Sequence, residues 1–177
     1  CGNFRDAGLQ YTGALTILQV ILSYDYLWMN IRVKGGAYGC MSGFGRSGEG
    51  YLVSYRDPNL KETNEIYEGI PAYLEAFDPD ERDMTKYVIG TISNLDAPLT
   101  PSVKGCRGLS AYLSGVTEEM MQTERDQILG ATKEDIRALA AQVRAVLATG
   151  SLCVVGNEEK IEANRGMFGE ILNLTRG

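Results

Sequence analysis

Apolar residues recur along the chain in two rhythms, and the longest helical run comes first. From Ala14 to Met29 the stretch ALTILQVILSYDYLWM is apolar on nearly every side, with Leu15, Leu18, Ile21 and Leu22 sharing one face. That pattern predicts a helix buried by several neighbours. IRVKGG follows, and its glycines, Gly35 and Gly36, disfavour more helix and permit a tight turn. Ala37–Phe44 then alternates, setting Tyr38, Cys40, Ser42 and Phe44 on one side against small residues and Met41 on the other. Tyr51–Arg56 is rich in strand formers, so GRSGEG between the two reads as a hairpin loop.

The helical period returns with Leu60, Thr63, Tyr67, Ile70, Leu74 and Phe77. Pro71 lies inside it, removes a backbone donor and crowds the preceding turn, so a kink or break is expected near Gly69. In Asp78-Pro79-Asp80-Glu81 the expected roles are Asp78 as N-cap, Pro79 at the first helical position and Glu81 completing a capping box, with the helix running to about Leu95. Asp96–Gly105 holds two prolines and no apolar period, and is expected as a surface connection. Thr117 caps a helix from Glu118 to Leu129. Thr132 with Asp135 caps another that carries Ile136, Leu139, Val143 and Val146 and stops at Gly150. Leu152–Val155 is wholly apolar and suits a strand, and Asn157 caps a last helix. Cys1–Phe4 reads as the remnant of a further strand, most of which is expected to lie ahead of the sequence. The order implies an α+β fold, one domain over residues 1–177 with an antiparallel sheet carrying helices on one face.

Composition narrows the chemistry. With 17 basic against 23 acidic side chains and a net charge of -6, there is no electrostatic footprint for nucleic acid. No apolar stretch is long enough for a bilayer span, and the first residues lack a signal-peptide core. The chain contains no histidine, which excludes a Ser-His-Asp triad, a Cys-His pair and a His-ligated zinc within it. The four cysteines, Cys1, Cys40, Cys106 and Cys153, are far apart and read as free thiols in a reducing compartment. The cytoplasm is expected, with an organelle matrix as the alternative.

Three motifs have bland readings. Gly43-Phe-Gly45-Arg-Ser-Gly48 matches a dinucleotide fingerprint in letters, but it leads into a second strand where the fingerprint needs a helix N-terminus. The acidic groups around Asp78–Asp83 and at Glu118 and Glu119 fall in helix first turns, where carboxylates favour the positive end of the dipole. Met120 and Met121 suit core packing. Arg32-Val-Lys34-Gly-Gly-Ala-Tyr38 is richer. It joins a fixed cation, a glycine pair that admits another backbone, and a phenol that stays a donor at neutral pH, a pair of groups able to hold a carbonyl oxygen as it becomes negative. On spacing alone, the plainer reading is that Arg32 caps the long helix or pairs with a carboxylate while Tyr38 fills the sheet face.

Around these residues, GNFRDAGLQYTGAL and then LSYDYLWMNIRVKGGAYGCMSGFGRSGEGYLVSYRDPNL resemble the C-terminal half of the pitrilysin/insulinase zinc metallopeptidases, in the presequence-protease branch. The likeness is densest from Leu22 to Leu60. What the resemblance implies is a ferredoxin-like antiparallel sheet with a helical layer, half of a peptide-holding chamber. It further implies that zinc is bound by the N-terminal half of the same polypeptide and none by this chain. Arg32 and Tyr38 match the family's arginine and tyrosine that reach the substrate carbonyl, with Gly35 and Gly36 in the substrate-binding segment. The expected partners are that N-terminal half and unstructured peptides, and an uncovered sheet edge could also favour a homodimer. Alone, this piece is expected to be inactive. A zinc-free scaffold of the same fold and a plain peptide-binding module stay open as alternatives.

Overall fold

A computed structural model of the chain describes residues 1–173. Its organising element is α1 (Ala14–Ile21), which buries Leu15, Ile17, Leu18 and Ile21 completely. The helix does not end at Met29. It widens into π-helical turns over Leu22–Tyr26 and Trp28–Lys34 and stays continuous to Lys34, five residues beyond the expected stop. Arg32 and Lys34 in its last turn sit favourably against the negative end of the dipole. What stops the helix is Gly36, whose φ of 78° places it in the left-handed region while the Ala37 N–H returns to the Ile31 carbonyl.

The sheet has the order β1 (Gly2–Asn3), β3 (Glu49–Tyr55), β2 (Gly39–Phe44), antiparallel throughout. The hairpin register runs from Gly39 opposite Tyr55 to Phe44 opposite Gly50. The fingerprint-like segment is its turn, closed by the Gly45 N–H on the Glu49 carbonyl and the Gly48 N–H on the Gly45 carbonyl. β1 pairs only with Glu49 and Gly50, so among the described residues Tyr51–Tyr55 has no strand on that side. One sheet face packs on α1 through residues such as Ser42 and the partly buried Phe44 and Leu52. The other face displays Met41, Tyr51, Val53 and Tyr55.

The helical layer comprises α2 (Lys61–Glu68), α3 (Ile70–Glu75), α4 (Glu81–Leu95), α5 (Pro101–Leu113), α6 (Glu118–Leu129), α7 (Lys133–Ala138), α8 (Ala140–Ala148) and α9 (Glu158–Ala163). The break at Gly69 occurs as the proline requires, with Pro71 in the first turn of α3. Ile70, Leu74, Ile128, Ile136, Val143 and Val146 close the core around α1. The result is the α+β arrangement read from the sequence, an antiparallel sheet under a layer of helices.

Four expectations need correction. Asp80, not Asp78, caps α4, accepting from the Asp83 N–H, while Asp78 pairs with Lys133 and Arg137. Both aspartates flank Pro79, and the later one has the extended backbone a cap needs. The Asp96–Gly105 connection contains the start of α5, with Thr100 as N-cap and Pro101 at the first position. Leu152–Val155 is not a strand. It faces β3 across a groove of about 400 Å³ without pairing to it, and an extended segment needs a ladder partner to become a strand. Tyr38 does not join Cys40 and Ser42 on the inner face, because it precedes the strand and its side chain turns outward.

Candidate functional site

The end of the long helix and the two ends of the hairpin meet at one corner of the sheet. Arg32 comes from the last turn of the helix, Tyr38 from the residue before β2, and Arg56 from the residue after β3. The backbone fixes them to one another. Tyr38 N–H donates to the Arg56 carbonyl at 3.2 Å, and Asn59 Nδ2 donates to the Gly35 carbonyl at 2.6 Å, tying the β3 exit to the helix end.

Around the Tyr38 ring the side chains alternate between cation and aromatic. The Arg32 guanidinium carbon lies 4.7 Å from the Trp28 ring centroid and 5.5 Å from that of Tyr38. Arg56 lies 5.2 Å from the same Tyr38 ring, and Tyr55 meets it edge-on at 5.4 Å. Tyr55 can lie flat against β2 only because residue 39 is glycine, since a Cβ there would come within 2.2 Å of the ring. Arg32, Val33, Gly36, Ala37, Tyr38 and Arg56 line a shallow depression of about 490 Å³ that opens to solvent.

Neither arginine has an ion pair or side-chain hydrogen bond among the described residues. Arg32 therefore neither caps the helix nor answers a carboxylate. The adjacent acid, Asp57, is turned inward, accepting from the Asn59 N–H at 2.9 Å and the Thr63 hydroxyl at 2.8 Å. Exposed cation–π contacts contribute about 0.5–1 kcal/mol, whereas hydrogen bonds to a charged group contribute about 1.5–3 kcal/mol. A ligand oxygen can thus draw either guanidinium off its ring. Behind the sheet, burial pushes the Cys40 thiol up, against the opposing pull of Arg32.

Of the residues singled out in the sequence, Arg32 and Tyr38 share this surface, Tyr38 being 55% exposed. Gly35 and Gly36 line the turn between them, but their N–H groups are taken by the Asn30 and Arg32 carbonyls. They offer a ligand room, not donors. Sequence reasoning missed Arg56 and Trp28. Arg56 has φ 48°, the one non-glycine positive φ among the described residues, a conformation that costs about 1–2 kcal/mol for an L-residue. Only the turn-forming Asp57-Pro58-Asn59 beside it hinted at an unusual backbone.

The remaining polar clusters are structural. Glu124 pairs with Arg46 of the hairpin turn and accepts from Tyr11, whose phenol is pushed up to about 12, chiefly by burial. Among the described residues no group of three or more Cys, Asp or Glu is placed to hold a metal ion.

Protein HypA of Clostridium perfringens is 47% identical over 175 residues, covering 99% of this chain and 18% of that protein. Presequence protease 1, chloroplastic/mitochondrial, of Arabidopsis thaliana is 36% identical over 163 residues, covering 92% and 15%. The mitochondrial presequence protease of Aspergillus oryzae is 33% identical over 146 residues, covering 82% and 14%. The chain thus spans less than a fifth of the length of these relatives. A family model described as the PreP C-terminal domain matches residues 1–158, and the chain belongs to that presequence-protease family as its C-terminal domain.

Proposed function

We propose that this domain grips extended peptides for a zinc-dependent oligopeptidase whose metal and general base belong to another part of the longer polypeptide. In this reading the aromatic face of the hairpin supports the peptide, and Arg32 and Tyr38 donate hydrogen bonds to the scissile carbonyl oxygen as it gains negative charge. Both groups are suited to that work. The guanidinium carries five N–H donors in a planar fork, and the phenol supplies an O–H donor. The relatives' names supply the peptidase class. The observation that carries the reading is the convergence of Arg32 and Tyr38 on one open surface, with the guanidinium held only by aromatic rings.

The same reading has the sheet extended outside these residues. A strand arriving ahead of Cys1 would continue the register of β1 and run along Tyr51–Tyr55. The setting it implies is the cytoplasm or an organelle matrix.

The test is steady-state kinetics on the longer polypeptide with an unstructured peptide. Removing one preorganised donor to a developing oxyanion typically lowers kcat about 10²–10³-fold, and Arg32→Ala and Tyr38→Phe should each show a loss of that order in kcat/KM with unchanged circular dichroism. If both variants turn over like the parent, the oxyanion role is wrong, and a scaffold or binding module of the same fold becomes the better account.

A further inference from the structure

Two guanidiniums share one phenol ring at this corner and are held there by aromatic contacts alone among the described residues. Arg32 and Arg56 both lie within 5.5 Å of the Tyr38 ring centroid, and neither has an ion pair among the described residues. Lys34, which bonds Asn30, adds a third positive charge on the same turn. This occurs in a chain whose net charge is -6, so acidic side chains are plentiful elsewhere but none answers these two arginines. Asp57, the nearest in sequence, is held on the Asn59 N–H and the Thr63 hydroxyl. Arg56 also occupies a left-handed backbone position where glycine or asparagine would be relaxed. Strain kept at a surface residue that makes no ion pair among the described residues points to its side chain as the reason.

We infer that Arg32 and Arg56 form a carboxylate-recognising subsite at the Tyr38 corner of the sheet, with Arg56 the residue that takes the anion. The ligand chemistry is a carboxylate carried by an extended peptide, either its C-terminus or an Asp or Glu side chain. Planar guanidiniums suit it because they can bind both oxygens at once. The inference rests on the peptide-gripping reading of this surface and goes further, since it makes the corner selective for where a peptide ends or bears negative charge. Arg32 is shared by both readings. Arg56 belongs to this one alone.

The experiment is fluorescence anisotropy on the longer polypeptide, with chelator present so that peptides persist. Three N-terminally labelled octapeptides of Gly, Ala, Ser and Leu serve as probes: one with a free C-terminus, the same sequence as C-terminal amide, and the amide with one Glu. The expected result is that the free acid, the Glu-amide or both bind about tenfold tighter than the plain amide, and which of them does identifies the carboxylate source. Arg56→Asn, a substitution that tolerates the left-handed backbone, should abolish that preference and leave amide binding unchanged. Arg56→Lys should retain part of it. Equal binding of all three probes by the parent, or an Arg56→Asn variant that loses all three alike, overturns the subsite. Carboxylate preference that persists while Arg32→Ala and Tyr38→Phe keep full kcat/KM would leave the subsite standing and remove the oxyanion role. Normal kinetic losses in those two variants with no carboxylate preference would do the reverse.

Discussion

Helices α1 and α5 each carry six apolar residues, but in eight positions in α1 and in thirteen in α5, and they have opposite fates. α1 buries Leu15, Ile17, Leu18 and Ile21 completely, while α5 buries nothing, and its Tyr112 and Leu113 are 82% and 74% exposed. The first exists because the core needs it. The second is held by its ends, with Thr100 accepting from the Val103 N–H and Pro101 presetting the first turn. The density of apolar residues, and with it the number of faces that can find neighbours, separates the structural helix from the displayed one. The candidate corner is tied to the first kind, because Arg32 rides on the continuation of the helix that anchors the fold.

The largest expected effect separates the two helices directly. Leu18→Ala should destabilise the protein by about 2–5 kcal/mol, the range for emptying a packed leucine site, whereas Leu113→Ala should stay within about 0.5 kcal/mol, as exposed substitutions do. Urea unfolding measures both, and a comparable loss at Leu113 would mean that α5 is packed after all. A smaller contrast uses the helix exits. Gly36 and Gly115 both have positive φ, so alanine strains each by about 1–2 kcal/mol. At Gly36 the strain should appear in global stability, because Tyr38 and Asn59 are tied to that turn. At Gly115, with nothing within 4 Å of an added Cβ, it should only fray α5, visible as faster amide exchange there.

The smallest effect appears only in alkali. Burial pushes the phenols of Tyr11, Tyr67 and Tyr73, all in or against the core around α1, from 10.0 up to about 12. The folded state then holds protons that the unfolded chain releases, so the stability they contribute is fully present below pH 10 and lost as pH rises through about 12. The urea midpoint should fall across that window, and Tyr11→Phe should flatten the fall. No change in slope would show that Tyr11 is not buried as described.

Much of this architecture was readable because the signals are local. The hairpin, the break at Gly69 and the caps at Thr117 and Thr132 each follow from a few adjacent residues. The Thr100-Pro101 pair was equally local, but together with Pro98 it read as a loop. Leu152–Val155 failed for a different reason: strand formation depends on a partner that no local pattern reveals. At the site, Arg32, Gly36 and Tyr38 stood out within one short segment. Arg56 did not, because what distinguishes it is a backbone angle and a ring brought near by hairpin pairing.

Trp28 has one more consequence. It is the only tryptophan in the chain, and it lies beneath the Arg32 guanidinium at the rim of the proposed peptide surface. Indole emission from this domain is therefore an intrinsic optical gauge of that single arginine, one that needs no label: when a ligand lifts the cation away, the quantum yield and colour of the light should change with it.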